Sequence, residues 1–470
     1  MLYSIAVNVN RKVKIIMNED EAVNWLYGKV ARSLSGSHTM GDIEKAIDKQ
    51  SMEMRRRVLE RLSQDVASRA TFSCPKCERS LNVVDHNRKR TVVSSFGKMS
   101  YTRNYGYCTS CQKHFAPADI ALGLHERAPA SPRVQEICAL TVLRAPAGQG
   151  EDDVRRMTGI RVGASTLHRE ARRQGDRALK LRDADEQLTQ TQKGIAKLAA
   201  KAPALPRHTT MLIEIDAWNI RERDNWGKTQ DLLKAGQKTE RWHWVYTGTV
   251  FRLDQRATTE SGRPVIADRG YVATRRGIES FRRQLYAEAL QRGLLASETV
   301  LILADGAIWI WNLATDRFKD ATQRVDLYHV QEHLWSLAHE LYGRGTPEAQ
   351  AWVRPYLLWL KRRKDGVLDV INSLEALHKN IKEFSKKQRD AVGKEVDYFT
   401  THKDRMDYKT GKTLGQPVGS GAIESTCSQY QRRFKLTGQF WTLAGDEAFL
   451  TMATLHRNGR WNQLFPHDAR

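Results

Sequence analysis

Two apolar runs that each end in an aspartate limit what this chain can fold into. Residues 211–216 read Met-Leu-Ile-Glu-Ile-Asp and residues 300–305 read Val-Leu-Ile-Leu-Ala-Asp. Short apolar runs of this kind suit buried strands, which puts Asp216 and Asp305 at strand ends. A third acid, Glu424, opens a helical segment directly after Val-Gly-Ser-Gly at 418–421. Two strand-end aspartates and a helical glutamate are the hard oxygen ligands that Mg²⁺ or Mn²⁺ prefers. Phosphodiester chemistry asks such acids to hold two cations about 4 Å apart.

The surrounding pattern gives these acids a frame. Strands are expected over 209–216, 241–253 and 264–274, followed by a helix with apolar residues at Ile278, Phe281, Leu285 and Ala289, then the buried strand 299–305. Three strands, a crossover helix and a fourth buried strand open a ribonuclease-H-like sheet, in which the fourth strand lies beside the first and brings Asp305 to Asp216. Asp224, Asp254 and Asp268 compete for the role of strand-end ligand. In 421–435, Ile423, Cys427, Tyr430 and Phe434 recur at i, i+4, i+7 and i+11, an apolar stripe for packing on the sheet. Glu424 is one position, about 100°, from that stripe, at the edge of the interface, with Arg432, Arg433 and Lys435 left for phosphate. A first-turn glutamate favoured by the helix dipole is the plainer alternative. Another strand is expected over 323–329, and 331–401 reads as an all-α insertion on Leu334, Leu337, Leu341, Leu357, Leu360, Leu374 and Leu377.

Charge narrows the partner. The 470 residues carry formal net charge +22 and a pI near 9.8, with the excess of Lys and Arg spread along the chain. An extended basic surface favours a polyanion, because neutralised phosphates release condensed counterions. Residues 1–17 alternate apolar and polar and include Arg11, Lys12 and Lys14, so they read as a strand and not as a signal peptide. No apolar window is long enough for a membrane span. Six cysteines without a secretion signal point to a reducing, cytoplasmic setting, where close pairs are more often metal ligands than disulfides.

Cys74-Pro-Lys-Cys77 and Cys108-Thr-Ser-Cys111 are two such pairs, separated by a β-rich stretch. Paired knuckles offer four thiolates for a closed structural Zn²⁺ site; two local disulfides are the competing reading. Residues 20–70 read as an exposed helical arm with apolar positions Ile43, Ile47, Met54, Val58 and Leu62. Helices expected over 133–143, 151–158 and 164–174 resemble a helix-turn-helix whose last helix presents Arg169, Arg172 and Arg173 around the apolar pair Leu167 and Ala171. Arg155 and Thr158 depart from that motif, and a three-helix linker bundle is the alternative. A charged helix over 176–200 then leads to a Pro-punctuated linker at 202–206.

The stretch Val418-Gly-Ser-Gly-Ala-Ile-Glu-Ser-Thr-Cys427, with Arg-Phe-Lys-Leu-Thr-Gly-Gln-Phe-Trp and Ala-Gly-Asp-Glu-Ala downstream, resembles the signature around the catalytic Glu of Kra-type insertion-sequence transposases. Ile215-Asp-Ala-Trp-Asn-Ile-Arg-Glu-Arg and Leu303-Ala-Asp-Gly-Ala-Ile-Trp-Ile resemble that family's two Asp regions, and the likeness spans residues 209–450. The family consists of Asp-Asp-Glu transposases related to the Mutator-like group. The resemblance implies Asp216, Asp305 and Glu424 as catalytic metal ligands, Trp218 stacking on a base, and His329 of Asp326-Leu-Tyr-His329 touching DNA. It implies cleavage of element ends and joining of the 3′ hydroxyl to target double-stranded DNA by a homo-oligomer at the bacterial nucleoid. The domains expected are an arm (1–70), a zinc ribbon (71–116), a helix-turn-helix region with linker (117–206), the first part of the core (207–330), the insertion (331–411) and the rest of the core (412–470). A silent DNA-binding regulator and a metal-dependent nuclease that cuts without joining are the alternatives.

Overall fold

The computed structural model of the chain describes residues 19–34, 36, 38–125, 128–223, 227–237, 241–379 and 384–466. The strand expected over 1–17 lies outside the described residues. The chain is mixed α/β, with more helix than strand, and divides into two compact units at residues 170 and 171.

In the first unit, α1 (Glu19–Ser33) precedes α2 (Met40–Arg69), whose start is fixed by a capping box. Thr39 Oγ1 accepts from the Asp42 N–H, and the Asp42 carboxylate accepts from the Thr39 N–H at 3.1 Å. A hairpin follows, β1 (Asn82–Ser94) antiparallel to β2 (Gly97–Cys108), extended by β3 (Lys113–Phe115). The arm does not stand free. Gln64 exchanges hydrogen bonds with the Thr102 backbone, 2.9 and 3.1 Å, and Glu60 accepts from the Ser100 N–H. The face turned inward carries Ser51 and Ser63, with Leu59 and Ala67 against the ribbon core of Val92, Met99, Tyr101 and Leu124. Ile47, Val58 and Leu62 of the expected stripe are exposed. The covered side of α2 thus combines apolar contacts of Leu59 and Ala67 with polar pairing of Glu60 and Gln64 to the ribbon's backbone.

A short helix α3 (Pro117–Ala121) brings in the buried Asp119, which accepts from Tyr101 Oη at 2.5 Å and forms an ion pair with Arg103, Nε at 2.7 Å. Helices α4 (Pro132–Arg144), α5 (Ala147–Thr158) and α6 (Ala164–Leu188) come next, and Gly159 closes α5 at φ +71°, a left-handed cap. The helix expected to end near 174 runs on to Leu188, a helix of 25 residues, so the break expected near 175 falls at 189–191, ahead of a separate helix over Gln192–Ala199. The break between units falls inside α6.

In the second unit, α7 (Gln192–Ala199) leads to β4 (Thr210–Glu222). The short α8 (Thr229–Lys234), β5 (Arg241–Arg252), a small hairpin of β6 (Arg256–Thr258) with β7 (Pro264–Ile266), and β8 (Arg269–Thr274) follow. The single strand expected over 264–274 is therefore two elements, because β7 pairs with β6 and not with the main sheet. After α9 (Ile278–Gln291) come β9 (Thr299–Ala304), α10 (Ile308–Arg317) and β10 (Thr322–Val325).

The five-stranded sheet has the order β10-β9-β4-β5-β8. β5 is antiparallel to both neighbours, and β9 and β10 run parallel to β4. Met211, Leu212, Ile213 and Ile215 are fully buried, as a central strand covered on both faces requires. The strand expected over 323–329 stops at Val325: Asp326 accepts from the Tyr328 and His329 N–H groups and starts α11 (Leu327–Tyr342). Helices α12 (Pro347–Arg362), α13 (Gly366–Lys379), α14 (Lys386–His402) and α15 (Tyr408–Thr413) follow without an intervening strand among the described residues. Leu334, Leu337, Leu341, Leu360 and Leu374 are buried there, as expected. The chain returns to the sheet in α16 (Gly421–Phe434) and α17 (Leu443–Arg457).

A buried carboxylate on α17 fastens this return. Glu447, 3% exposed, accepts from Thr274 Oγ1 and the Arg275 N–H, each at 2.7 Å, and pairs with Arg182. Removing one partner from such a cluster strands the others without solvent. Glu447→Ala is expected to cost about 3 to 5 kcal/mol of stability, read as a lower urea midpoint with the slope unchanged.

Candidate functional site

The parallel register of β4 and β9, with Glu214 opposite Leu303 and Ile215 opposite Ala304, ends the two strands side by side. Asp216 and Asp305 follow those last pairs. They line one cavity of about 210 Å³ together with Asp326, Tyr328, His329, Glu332, Ser420 and Glu424. No Lys or Arg is among the residues lining it. Asp216 is half-buried, and its Oδ1 accepts from the Ala217 N–H at 2.6 Å; Asp305 Oδ1 accepts from the Ala307 N–H at the start of α10.

The acids feel one another. Burial, with the charge of Asp305 added, holds Asp216 above its ordinary pKa. Burial, then Asp326 and Asp216, does the same to Glu424. The carboxylates of Asp216, Asp305 and Glu424 share a cavity without the mutual 4.8 Å approach that, among the described residues, only the four thiols show.

The stripe on α16 is where the spacing puts it: Ile423, Cys427, Tyr430 and Phe434 are all buried, and Glu424 is exposed at the edge. Burial, with the charge of Asp216 added, pushes the Cys427 thiol pKa up. Two buried carboxyl groups set the start of this helix, and sequence reasoning gave neither a role. Glu214 shares a strand face with Asp216, is 2% exposed, and accepts from the Ile423 N–H at 2.8 Å; burial pushes its pKa up to about 8. Asp326 Oδ2 accepts from the Ser420 N–H at 2.5 Å and from its hydroxyl, while Oδ1 caps α11. An acid in the middle of an apolar run is the signal that could have exposed Glu214, since a buried charge needs partners. The glycines before Glu424 fit this packing, as a Cβ on Gly419 would stand 2.5 Å from the Tyr328 ring.

The competing acids are engaged elsewhere. Asp254 pairs with Arg252 and Asp268 with Arg292. Asp224 lies outside the described residues. Trp218 is buried and donates its indole N–H to Thr247 Oγ1 at 3.0 Å, so the ring expected to stack on a base has no exposed face. His329 lines the acid cavity from α11, with Nδ1 3.4 Å from Glu332. Arg432 and Lys435 are exposed; Arg433 is mostly buried, its guanidinium over the Trp441 ring and burial lowering its pKa to about 10. On α6, Leu167 and Ala171 are buried as expected and Arg169 is exposed. Arg172 and Arg173 are half-buried, with Arg172 Nε 3.0 Å from Asp176, so the three do not share one exposed face.

The cysteine cluster is built on two matching turns. Cys74 and Cys77 belong to the first, Cys108 and Cys111 to the second, and the residue after each pair, Glu78 or Gln112, has positive φ. In each turn a backbone N–H donates to the first sulfur at 3.4 Å, from Lys76 to Cys74 and from Cys111 to Cys108. The four sulfurs lie within 4.8 Å of one another, with contacts of 3.5 and 3.8 Å. A disulfide needs about 2.05 Å, whereas thiolates about 2.3 Å from a tetrahedral Zn²⁺ stand roughly 3.8 Å apart. The cluster can hold a structural metal such as zinc.

No protein-family model matches this chain, and no curated protein matches it in sequence. Among solved structures it is similar to one described as a Drosophila P element transposase strand transfer complex, at 10% identity and TM-score 0.24, covering 70% of this chain and 80% of that one. A likeness that loose carries no argument about fold or chemistry. No helix among the described residues is long and apolar enough to cross a membrane.

Protein purified under reducing conditions is expected to carry one zinc per chain by elemental analysis, and Cys108→Ser to lower that content. At the acid cavity, Asp326→Ala removes the cap of α11 and the acceptor for Ser420 together. A stability loss of about 3 kcal/mol is expected, measured by chemical denaturation, with Asp326→Asn recovering part of it.

Proposed function

We propose that this chain is an Asp-Asp-Glu transposase of the Kra-type insertion-sequence kind, which cleaves the ends of its element and joins the 3′ hydroxyl to target DNA. The observation that carries the reading is a cavity lined by Asp216, Asp305, Asp326, Glu332 and Glu424, with no Lys or Arg lining it, in a chain of net charge +22. Burial and neighbouring acids raise the pKa of Asp216 and Glu424, and a phosphate would be repelled from the cluster. Divalent cations resolve both problems, and the donors are the carboxylate oxygens that Mg²⁺ takes. The strand order supports the same reading: an antiparallel three-strand ribbon with the fourth and fifth strands parallel beside the first is the ribonuclease-H-like arrangement. Helices α11 to α15 then correspond to an insertion ahead of the catalytic glutamate.

Asp216 is assigned the shared ligand position, with Asp305 and Glu424 as the other two ligands. A bound cation pair would supply positive charge at the attacking and leaving oxygens of an in-line displacement. Glu214 and Asp326 hold the first turn of α16, and so Glu424, against β4. Exposed Arg432 and Lys435 meet the DNA backbone, and Arg169 and the zinc-bearing ribbon contact double-stranded element ends. Synapsis of two ends calls for a homo-oligomer on DNA.

The test uses pre-cleaved element ends, a plasmid target and Mg²⁺. The parent is expected to join ends; nicking without joining would point to a nuclease, and end binding without metal-dependent chemistry to a regulator. Glu424→Gln, Asp216→Asn and Asp305→Asn should each cut strand transfer by roughly a hundredfold or more while end binding persists. If Glu424 only serves the helix dipole, its variant loses about 0.3 to 1 kcal/mol of stability and keeps full activity.

A further inference from the structure

Beyond Asp216, β4 and β5 continue past the covered part of the sheet, and aromatic and cationic side chains alternate there. Trp242 and Trp244 are 53% and 54% exposed. Two positions apart on β5, they share a face with their cross-strand partners Arg221 and Asn219. The Arg221 guanidinium is 4.8 Å from the Trp242 ring centre and 5.2 Å from that of Phe440, and Arg223 lies 3.8 Å over Phe440. Lys435 stands 5.6 Å from Trp242. The segment carrying Phe440 is fixed in place, since the Trp441 backbone exchanges hydrogen bonds with Arg221 O and Arg223 N at 3.2 and 2.9 Å.

Two large rings left half in water are costly unless something covers them. Soluble chains seldom expose such neighbours except at binding surfaces. Here the rings are interleaved with cations, which selects an anionic partner with flat apolar groups. His243, between the two tryptophans, faces the other side of the strand with Nε2 3.4 Å from the buried Glu222, itself held by Arg275 at 2.7 Å. We propose that this end of the sheet binds single-stranded DNA, with unpaired bases stacked on Trp242 and Trp244 and phosphates met by Arg221, Arg223 and Lys435. Stacking of this kind tolerates any base, and aromatic rings beside a basic track are its usual form.

The proposal rests on the reading of the chain as a DNA-processing enzyme and adds a strand-separated substrate to it. Asp216 pairs with Thr247, so Trp244 is about 10 Å and Trp242 about 17 Å further along β5. Unpaired nucleotides next to a cut end fall within that reach.

The test is fluorescence anisotropy of the full-length protein with a labelled oligothymidylate of about a dozen nucleotides and with a labelled duplex of the same length. The double variant Trp242→Ala/Trp244→Ala should bind the single strand about tenfold or more weaker, with duplex affinity and thermal unfolding unchanged. The corresponding double Phe variant should recover much of the loss, because a flat ring is retained. Unchanged single-strand affinity in the Ala variant would overturn the proposal, as would an equal loss on both substrates or a preference for oligouridylate. Cleavage with Mg²⁺ is scored separately. Tryptophan-dependent binding in a protein that cuts nothing sinks the transposase reading and keeps the surface; cutting that ignores the tryptophans does the reverse.

Discussion

β4 and β9 pair in parallel with Glu214 opposite Leu303 and Ile215 opposite Ala304, and this register gathers acids that lie far apart in the chain. Both strands are buried on both faces, through Ile213, Ile215, Leu301, Ile302 and Leu303. A slip by one residue would swap the faces of an entire strand and put Asp216 or Asp305 where apolar packing belongs. The core therefore fixes the position of both aspartates, and no loop contact is needed to align them. Glu424 arrives by a different route, carried on a helix whose apolar stripe settles against the other side of β4.

That helix has to be held in height as well as in rotation. The stripe of Ile423, Cys427, Tyr430 and Phe434 sets rotation, since only one face of α16 can be buried. Height is set by polar contacts at its first turn: the Glu214 carboxyl on the Ile423 N–H, and Asp326 on Ser420. Carboxyl groups this deep would be costly without donors, and the unpaired N–H groups at a helix start are donors that have no partner within the helix. Each satisfies the other's need. The same contacts tie α16 to the central strand and to the start of α11, so the acid cavity is walled by elements locked together through backbone atoms.

Much of this was legible in the sequence because it depends on periodicity. The apolar runs before Asp216 and Asp305, the stripe on α16, the buried pair Leu167 and Ala171, and the gathering of Cys74, Cys77, Cys108 and Cys111 all follow from spacing. What failed depends on partners that spacing does not name. The strand expected through His329 ended at Val325 because the Asp326 side chain caps a helix there. On α2 the apolar positions Ile47, Val58 and Leu62 stay exposed, while Glu60 and Gln64 accept from the Ser100 and Thr102 N–H groups of the ribbon, so the arm expected to be exposed is tied down along another face. Trp218 follows the first aspartate, which suggested contact with a base. Alternation along β4 sends it into the core with Glu214 and Asp216, where only Asp216, near the cavity, reaches solvent.

The charges on this unit are sorted by strand position. Near the middle of β4 the cavity carries acids and no lining Lys or Arg; toward its end, Arg221 and Arg223 are stacked on aromatic rings. Free basic side chains beside the acids would neutralise them by direct pairing, as Asp254 and Asp268 are neutralised by Arg252 and Arg292. Here the guanidinium groups of Arg221 and Arg223 lie against the Trp242 and Phe440 rings. The acids and these arginines are thus kept apart along the strand instead of pairing with one another. A nucleic acid lying along β4 would meet cations first and acids a few residues later, with the rise of the strand fixing the distance between them.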